Sequence, residues 1–121
     1  MAGDYQLDDV RGSCPGSLVA TLLVPAAHPI LAGHFPGAPL VPGVLLLDAI
    51  ARAYGIAVQV PHTLHAVVDC RFLQPLAPEQ RATLTANCAV GEVPGTIAVD
   101  GEWHCGAVRI AACRVVLRPQ P

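Results

Sequence analysis

The sequence predicts an α+β fold, an antiparallel sheet curled around one apolar helix, and three observations carry that prediction. The run from Val44 to Ile56 is apolar on every face of a helical wheel except at Asp48, Arg52 and Tyr54, so its helix must be wrapped by other structure. Gln80 to Val90 alternates with period two. Ala82, Leu84, Ala86, Cys88 and Val90 fall on one face and Arg81, Thr83, Thr85 and Asn87 on the other, the pattern of a sheet with one dry side. The chain has 121 residues, 53% hydrophobic and 13% charged, enough to bury one core and far from a disordered composition.

Ser17 to Val24 reads as the first strand, stopped by Pro25. A Pro/Gly-rich loop from Ala26 to Pro42 leads into the helix, expected from Gly43 to Gly55, where the glycine suits a C-terminal stop. Pro61 closes that region and Leu64 to Phe72 forms the next strand, followed by the alternating strand from Gln80 to Val90. Gly91-Glu92-Val93-Pro94-Gly95 is a turn cluster, Thr96 to Val99 a short strand, and Asp100-Gly101 a two-residue hairpin signal. Trp103 to Leu117 completes the sheet, and Arg118 to Pro121 is a tail. With no internal repeat or low-complexity linker, residues 1–121 are expected to form a single domain. So small a sheet leaves an exposed edge and an incompletely covered helix, which pairing of two copies would conceal.

Composition excludes several function classes. A net charge of −2 offers no electrostatic footprint for nucleic acid. The acidic start, with Asp4, Asp8 and Asp9, has no basic segment followed by an apolar one, so a cytoplasmic location is expected. Leu40 to Val60 is apolar enough to raise the question of a membrane span, but Pro42, Asp48, Arg52 and Gly55 argue against it. The five cysteines, Cys14, Cys70, Cys88, Cys105 and Cys113, contain no CxxC pair and read as small buried hydrophobes. His62 and His65 have HxxH spacing without a pattern for the remaining ligands, so no metal is expected.

The chemistry concentrates between His34 and Arg52. His34 stands in the Pro/Gly-rich loop, and an imidazole titrates near neutrality. Asp48, fourteen positions later, is the lone acid of the apolar helix, where burial favours the neutral carboxyl that can donate a proton. Between them the chain turns at Pro36-Gly37 and again at Pro42-Gly43, which leaves the N–H of Gly43 at the helix start without an intrahelical partner and suited to a developing oxyanion. Base, acid and oxyanion donor together suit proton abstraction beside a carbonyl coupled to loss of a protonated hydroxyl, a dehydration. From residue types alone a structural reading stays open: a histidine in an apolar loop often only packs, and Arg52, one turn on, is a ready ionic partner for Asp48.

The stretch His34-Phe35-Pro36-Gly37-Ala38-Pro39-Leu40-Val41-Pro42-Gly43-Val44-Leu45, with an acid at Asp48, resembles the active-site signature of the FabA/FabZ-type 3-hydroxyacyl-acyl carrier protein dehydratases. Val68 to Leu76 looks like that family's strand carrying Arg-Phe-x-x-Pro, here Arg71-Phe72-Leu73-Gln74-Pro75. The resemblance implies a hot-dog fold. It also implies a catalytic pair of His34 and Asp48, with Gly43, Val44, Phe35, Pro42 and Arg52 forming the oxyanion and substrate-binding set. The implied substrate is a 3-hydroxyacyl chain on acyl carrier protein, whose phosphopantetheine arm comes with it, so the protein itself needs no cofactor. The implied assembly is a homodimer, or a heterodimer, in which His34 works with Asp48 of the partner chain. Such an enzyme would serve fatty-acid or polyketide-like synthesis, for example of aryl polyenes. A hot-dog thioesterase and a catalytically silent acyl-binding subunit are the alternatives. Three positions depart from the pattern. The acid is Asp where the FabZ-like branch has Glu, Arg52 stands where Gln is frequent, and Gln74 replaces a residue that is often basic. A cation turned toward Asp48 would hold the acid ionised.

Overall fold

The structure is a computed structural model that describes residues 5–26 and 40–121; His34 and Phe35 lie outside the described residues. In chain order the elements are β1 (Gln6–Gly12), β2 (Gly16–Leu23), α1 (Gly43–Val58), β3 (His62–Phe72), β4 (Arg81–Val90), β5 (Ile97–Cys105) and β6 (Val108–Pro119). The six strands form one sheet in the order β1-β2-β4-β5-β6-β3, with every neighbouring pair antiparallel. The helix α1 touches both edge strands, β1 and β3, as well as β2 and β6. A flat sheet could not bring both of its edges to one helix, so the sheet curls around α1 and the core fills the space between. This is the α+β architecture expected. Among the described residues no helix is long and apolar enough to cross a membrane.

The core is built from the inward rows of the strands, including Leu18, Leu22, Leu84, Val99, Trp103, Val115 and Leu117, set against Leu46 and Ile50 of α1. On β4 the alternation holds from Arg81 to Cys88, but Val90 is 72% exposed. The dry face ends there because the strand runs past the core into the turn before β5.

Four boundaries differ from expectation, each for a local reason. The strand β1 lies ahead of the expected first strand and has no alternation to mark it. It carries a bulge between Asp8 and Arg11 with Asp9 at a φ of 53°, so its two core-facing residues, Leu7 and Val10, are three positions apart and the period-two signal is lost. The helix runs through Gly55 to Val58 and stops at Gln59, which adopts the left-handed conformation at φ 62° and donates its N–H toward the Gly55 and Ile56 carbonyls. Gly55 serves a close approach instead: a Cβ there would lie 3.0 Å from both the Val60 carbonyl oxygen and the His62 amide nitrogen. Asp100-Gly101 is the middle of β5, paired with Asn87 and Ala86, and not a hairpin. Gly101 lets Ala86 and Leu84 pack across it, and the turn falls at Gly106-Ala107, where Gly106 has a φ of 59°. Finally, β6 takes in Arg118 and Pro119 of the expected tail, and the Gln120 N–H donates to the Pro61 carbonyl oxygen at 2.9 Å.

The tight return beneath Gly55 sets a test. Gly55→Val should destabilise the protein by about 1–3 kcal/mol through overpacking against fixed backbone. Replacing glycine with a better helix former at an open position would instead gain up to about 1 kcal/mol. Chemical denaturation of both proteins compares the two effects.

Candidate functional site

Val44, Asp48, Arg52 and Ile56 recur every four residues and form one row along α1. Behind that row Leu45, Leu46, Ala49, Ile50 and Ala53 are buried, whereas Val44 is 60% and Ile56 49% exposed. The helix is therefore not wrapped on all sides, as its composition suggested. The sheet covers most of it and leaves this row open, with Asp48 and Arg52 half-buried between the two exposed apolar residues.

Tyr5, just ahead of β1, meets this row. Its ring is buried, and its hydroxyl donates to Oδ2 of Asp48 at 2.7 Å. The Arg52 guanidinium lies over the same ring, 5.0 Å from its centroid, a cation–π arrangement. Burial first, and then the hydrogen bond and charge of Asp48, push the Tyr5 phenol far above its usual range, with Arg52 acting weakly in the opposite sense. The phenol therefore stays protonated and remains a donor. Asp48 and Arg52, expected to pair along the helix, both engage Tyr5. Nothing in the local sequence marked Tyr5 beyond its being an aromatic residue in a polar opening segment.

Asp48 and Arg52 line a groove of about 480 Å³ that runs toward the helix C-terminus past Gly55, Gln59, His62 and Thr63. His62 is nearly buried, and its Nδ1 lies 2.6 Å from the Val60 carbonyl oxygen. A carbonyl only accepts, so Nδ1 carries a proton and donates it. The ring stands edge-on to Tyr54 with centroids 4.7 Å apart.

At the other end of α1, Pro42 occupies the N-cap position without a side-chain cap, and Gly43 opens the helix. Pro42 and Gly43 line a separate groove of about 430 Å³ with Leu46, Phe72, Gln74 and Leu76. The Phe72 ring lies so close over Gly43 that a Cβ there would overlap it. Val44 is on the exposed row and lines neither groove. Among the described residues none lines both, so the expected set divides: Asp48 and Arg52 open on one side, Pro42 and Gly43 on the other. Among the described residues no three His, Cys, Asp or Glu side chains converge as metal ligands would.

Comparison with known proteins gives consistent results. The profile of the ApeI-like family, described as ApeI dehydratase, matches residues 12–98. The chain is 32% identical over 127 residues to the 3-hydroxyacyl-(acyl-carrier-protein) dehydratase FabZ of Aeromonas salmonicida, covering 93% of this chain and 80% of that protein. It is also 32% identical over 100 residues to the FabZ of Mannheimia succiniciproducens, covering 72% of this chain and 67% of that one. Among solved structures, the dehydratase heterocomplex ApeI:P from Xenorhabdus doucetiae superposes with a TM-score of 0.73 at 17% identity, covering 93% of this chain and 96% of that one. A hypothetical thioesterase with coenzyme A from Streptococcus pneumoniae superposes with a TM-score of 0.64 at 14% identity, covering 98% and 87%. These two likenesses show the hot-dog fold.

The buried acids beside the helix make stability sensitive to alkali. Burial, the leading cause in each case, raises the Tyr54 phenol from 10.0 to about 12, the Cys88 thiol from 9.0 to about 11 and the Cys113 thiol from 9.0 to about 12. Below pH 9 both folded and unfolded chains keep these protons. Above it the unfolded chain releases protons that the folded chain retains, so stability falls, by up to about 1.4 kcal/mol per pH unit for each fully buried group. Denaturant midpoints measured from neutral pH into this alkaline window should decline steadily.

Proposed function

From a chain that belongs to the ApeI-like dehydratase family, we propose a hydro-lyase that converts 3-hydroxyacyl thioesters on acyl carrier protein to trans-2-enoyl thioesters. In this mechanism the thioester carbonyl oxygen accepts a hydrogen bond from the backbone N–H of Gly43, which stabilises the charge that develops as the α-proton leaves. Neutral His34 takes that proton. The electron pair of the broken C–H bond forms the Cα=Cβ double bond as the Cβ–O bond breaks, and the departing hydroxyl leaves as water with a proton from Asp48. Exchange with solvent then returns the proton from His34 and restores it to Asp48. No metal or redox group enters these steps, and the phosphopantetheine arm belongs to the substrate.

The observation that carries this reading is the division of one chain into two half-sites, the Gly43 groove and the Asp48 groove, which share no lining residue among the described residues. A reaction needing both groups is completed by a second chain that brings its own α1 alongside. The uncovered row of α1 supports such pairing, as do the exposed Val67, Val68 and Phe72 on the edge strand β3. The second chain is a copy of this one or a related partner. A thioesterase would use the Asp48 carboxylate to activate water, and the FabZ relatives at 32% identity favour dehydration over it.

Purified protein incubated with a panel of 3-hydroxyacyl thioesters should release enoyl thioester, and release of free acid would indicate thioester hydrolysis instead. His34→Ala should lower turnover by at least about 100-fold, the lower end for loss of a general base. Asp48→Asn should do likewise. Mixing the two inactive variants and allowing chains to exchange should recover about one quarter of wild-type activity, because half the dimers are mixed and each mixed dimer holds one intact site of two. No recovery despite proven exchange would place both groups of a site on one chain. Activity that appears only when a related subunit is added would identify a heteromer.

A further inference from the structure

Asp48 sits on the open row of α1, where a short carboxylate side chain has several staggered orientations available to it. Proton transfer tolerates little of that freedom, since displacement of about 1 Å can cost about a hundredfold in rate. The structure supplies a restraint from outside the helix. The Tyr5 hydroxyl donates to Oδ2 at 2.7 Å, and the ring that carries it is only 5% exposed, so the donor is itself fixed by packing. Arg52, one helical turn from Asp48, places its guanidinium 5.0 Å from the centroid of the same ring.

We propose that Tyr5 is a positioning residue for the acid, holding Oδ2 of Asp48 from across the fold so that Oδ1 is the oxygen presented to the substrate in the groove. This rests on the dehydratase reading. It gives Arg52 a part as well: the guanidinium braces the tyrosine ring through its π face. The charged and titratable groups around Asp48 fit this division. Arg52 comes from its own helix and His62 from the start of β3, with its Nδ1 donating to the Val60 carbonyl. The charged side chains of β1, Asp8, Asp9 and Arg11, are exposed. Tyr5 reaches Asp48 from a different element, with its hydroxyl donating to Oδ2 at 2.7 Å. Its raised pKa keeps the phenol a donor throughout the working range and makes it a poor proton source of its own.

The test uses Tyr5→Phe, which keeps the ring beneath Arg52 and removes only the hydroxyl. Its kcat should fall about tenfold, the upper scale of one ordinary hydrogen bond, with KM within about twofold of wild type. In the Asp48→Asn background the same change should have no further effect on residual turnover, because the two residues act as one unit. A second measurement is independent of activity. Tyr5 and Tyr54 are the only two tyrosines, so in a Tyr54→Phe protein the ultraviolet titration reports Tyr5 alone. Its midpoint should move down when Asp48→Asn removes the carboxylate charge. Unchanged kcat in Tyr5→Phe, loss as deep as that of Asp48→Asn, or a Tyr5 titration indifferent to Asp48→Asn would each overturn the proposal. A wild-type protein that forms no enoyl product from any thioester overturns the dehydratase reading and the role built on it, while the titration still decides whether the contact exists.

Discussion

The structure depends on packing a helix too apolar to stand in water against a sheet that curls until both of its edges reach it. Each large side chain buried from α1, such as Leu45, Leu46 and Ile50, contributes about 1.5–3 kcal/mol. The ion pairs on the sheet surface are weaker by comparison. Asp8 with Arg81 at 3.8 Å and Asp100 with Arg114 at 3.7 Å join side chains that are all more than half exposed, and such pairs contribute about 0–1 kcal/mol. Apolar burial therefore fixes the rotation of α1 about its axis. The row that the sheet leaves open is then decided as a remainder, and the two charged residues of the helix lie on it.

How much of this was legible depends on whether the signal is local. The alternation of β4 and the Pro42-Gly43 start of α1 were read correctly because each is set by neighbouring residues. Where a second segment intervenes, the same rules mislead. Gly55 looked like a helix stop until the chain from Val60 to His62 folds back against it. Asp100-Gly101 has turn composition, yet pairing on both sides, to β4 and to β6, holds it extended. The bulge at Asp9 removes the alternation by which β1 could have been recognised.

The candidate site follows the same division. Asp48 stands out in the sequence as an acid in an apolar helix, and it lines a groove. Its hydrogen-bond donor, 43 residues earlier, has no sequence signal, because only the return of the N-terminal strand to the helix brings Tyr5 there. The i to i+4 spacing correctly put Arg52 beside Asp48 but could not show that an aromatic ring would engage both. His34, the most specific residue of the motif, lies outside the described residues, so its role rests on the family signature.

Helix geometry accounts for the separation of Gly43 from Asp48 despite their closeness in sequence. Five residues of α-helix advance about 7.5 Å and turn about 140° around the axis. The Gly43 N–H points back along the axis from the first turn, while the Asp48 side chain projects outward on the open row. A thioester seated against the first cannot also place its β-hydroxyl against the second without passing around the helix. A second helix alongside removes the conflict, because its own acid can approach the first chain's helix start from outside. The open row and the divided grooves are thus two consequences of one circumstance: a sheet of six strands covers most, but not all, of a helix that carries Gly43 at its start and Asp48 on its open row.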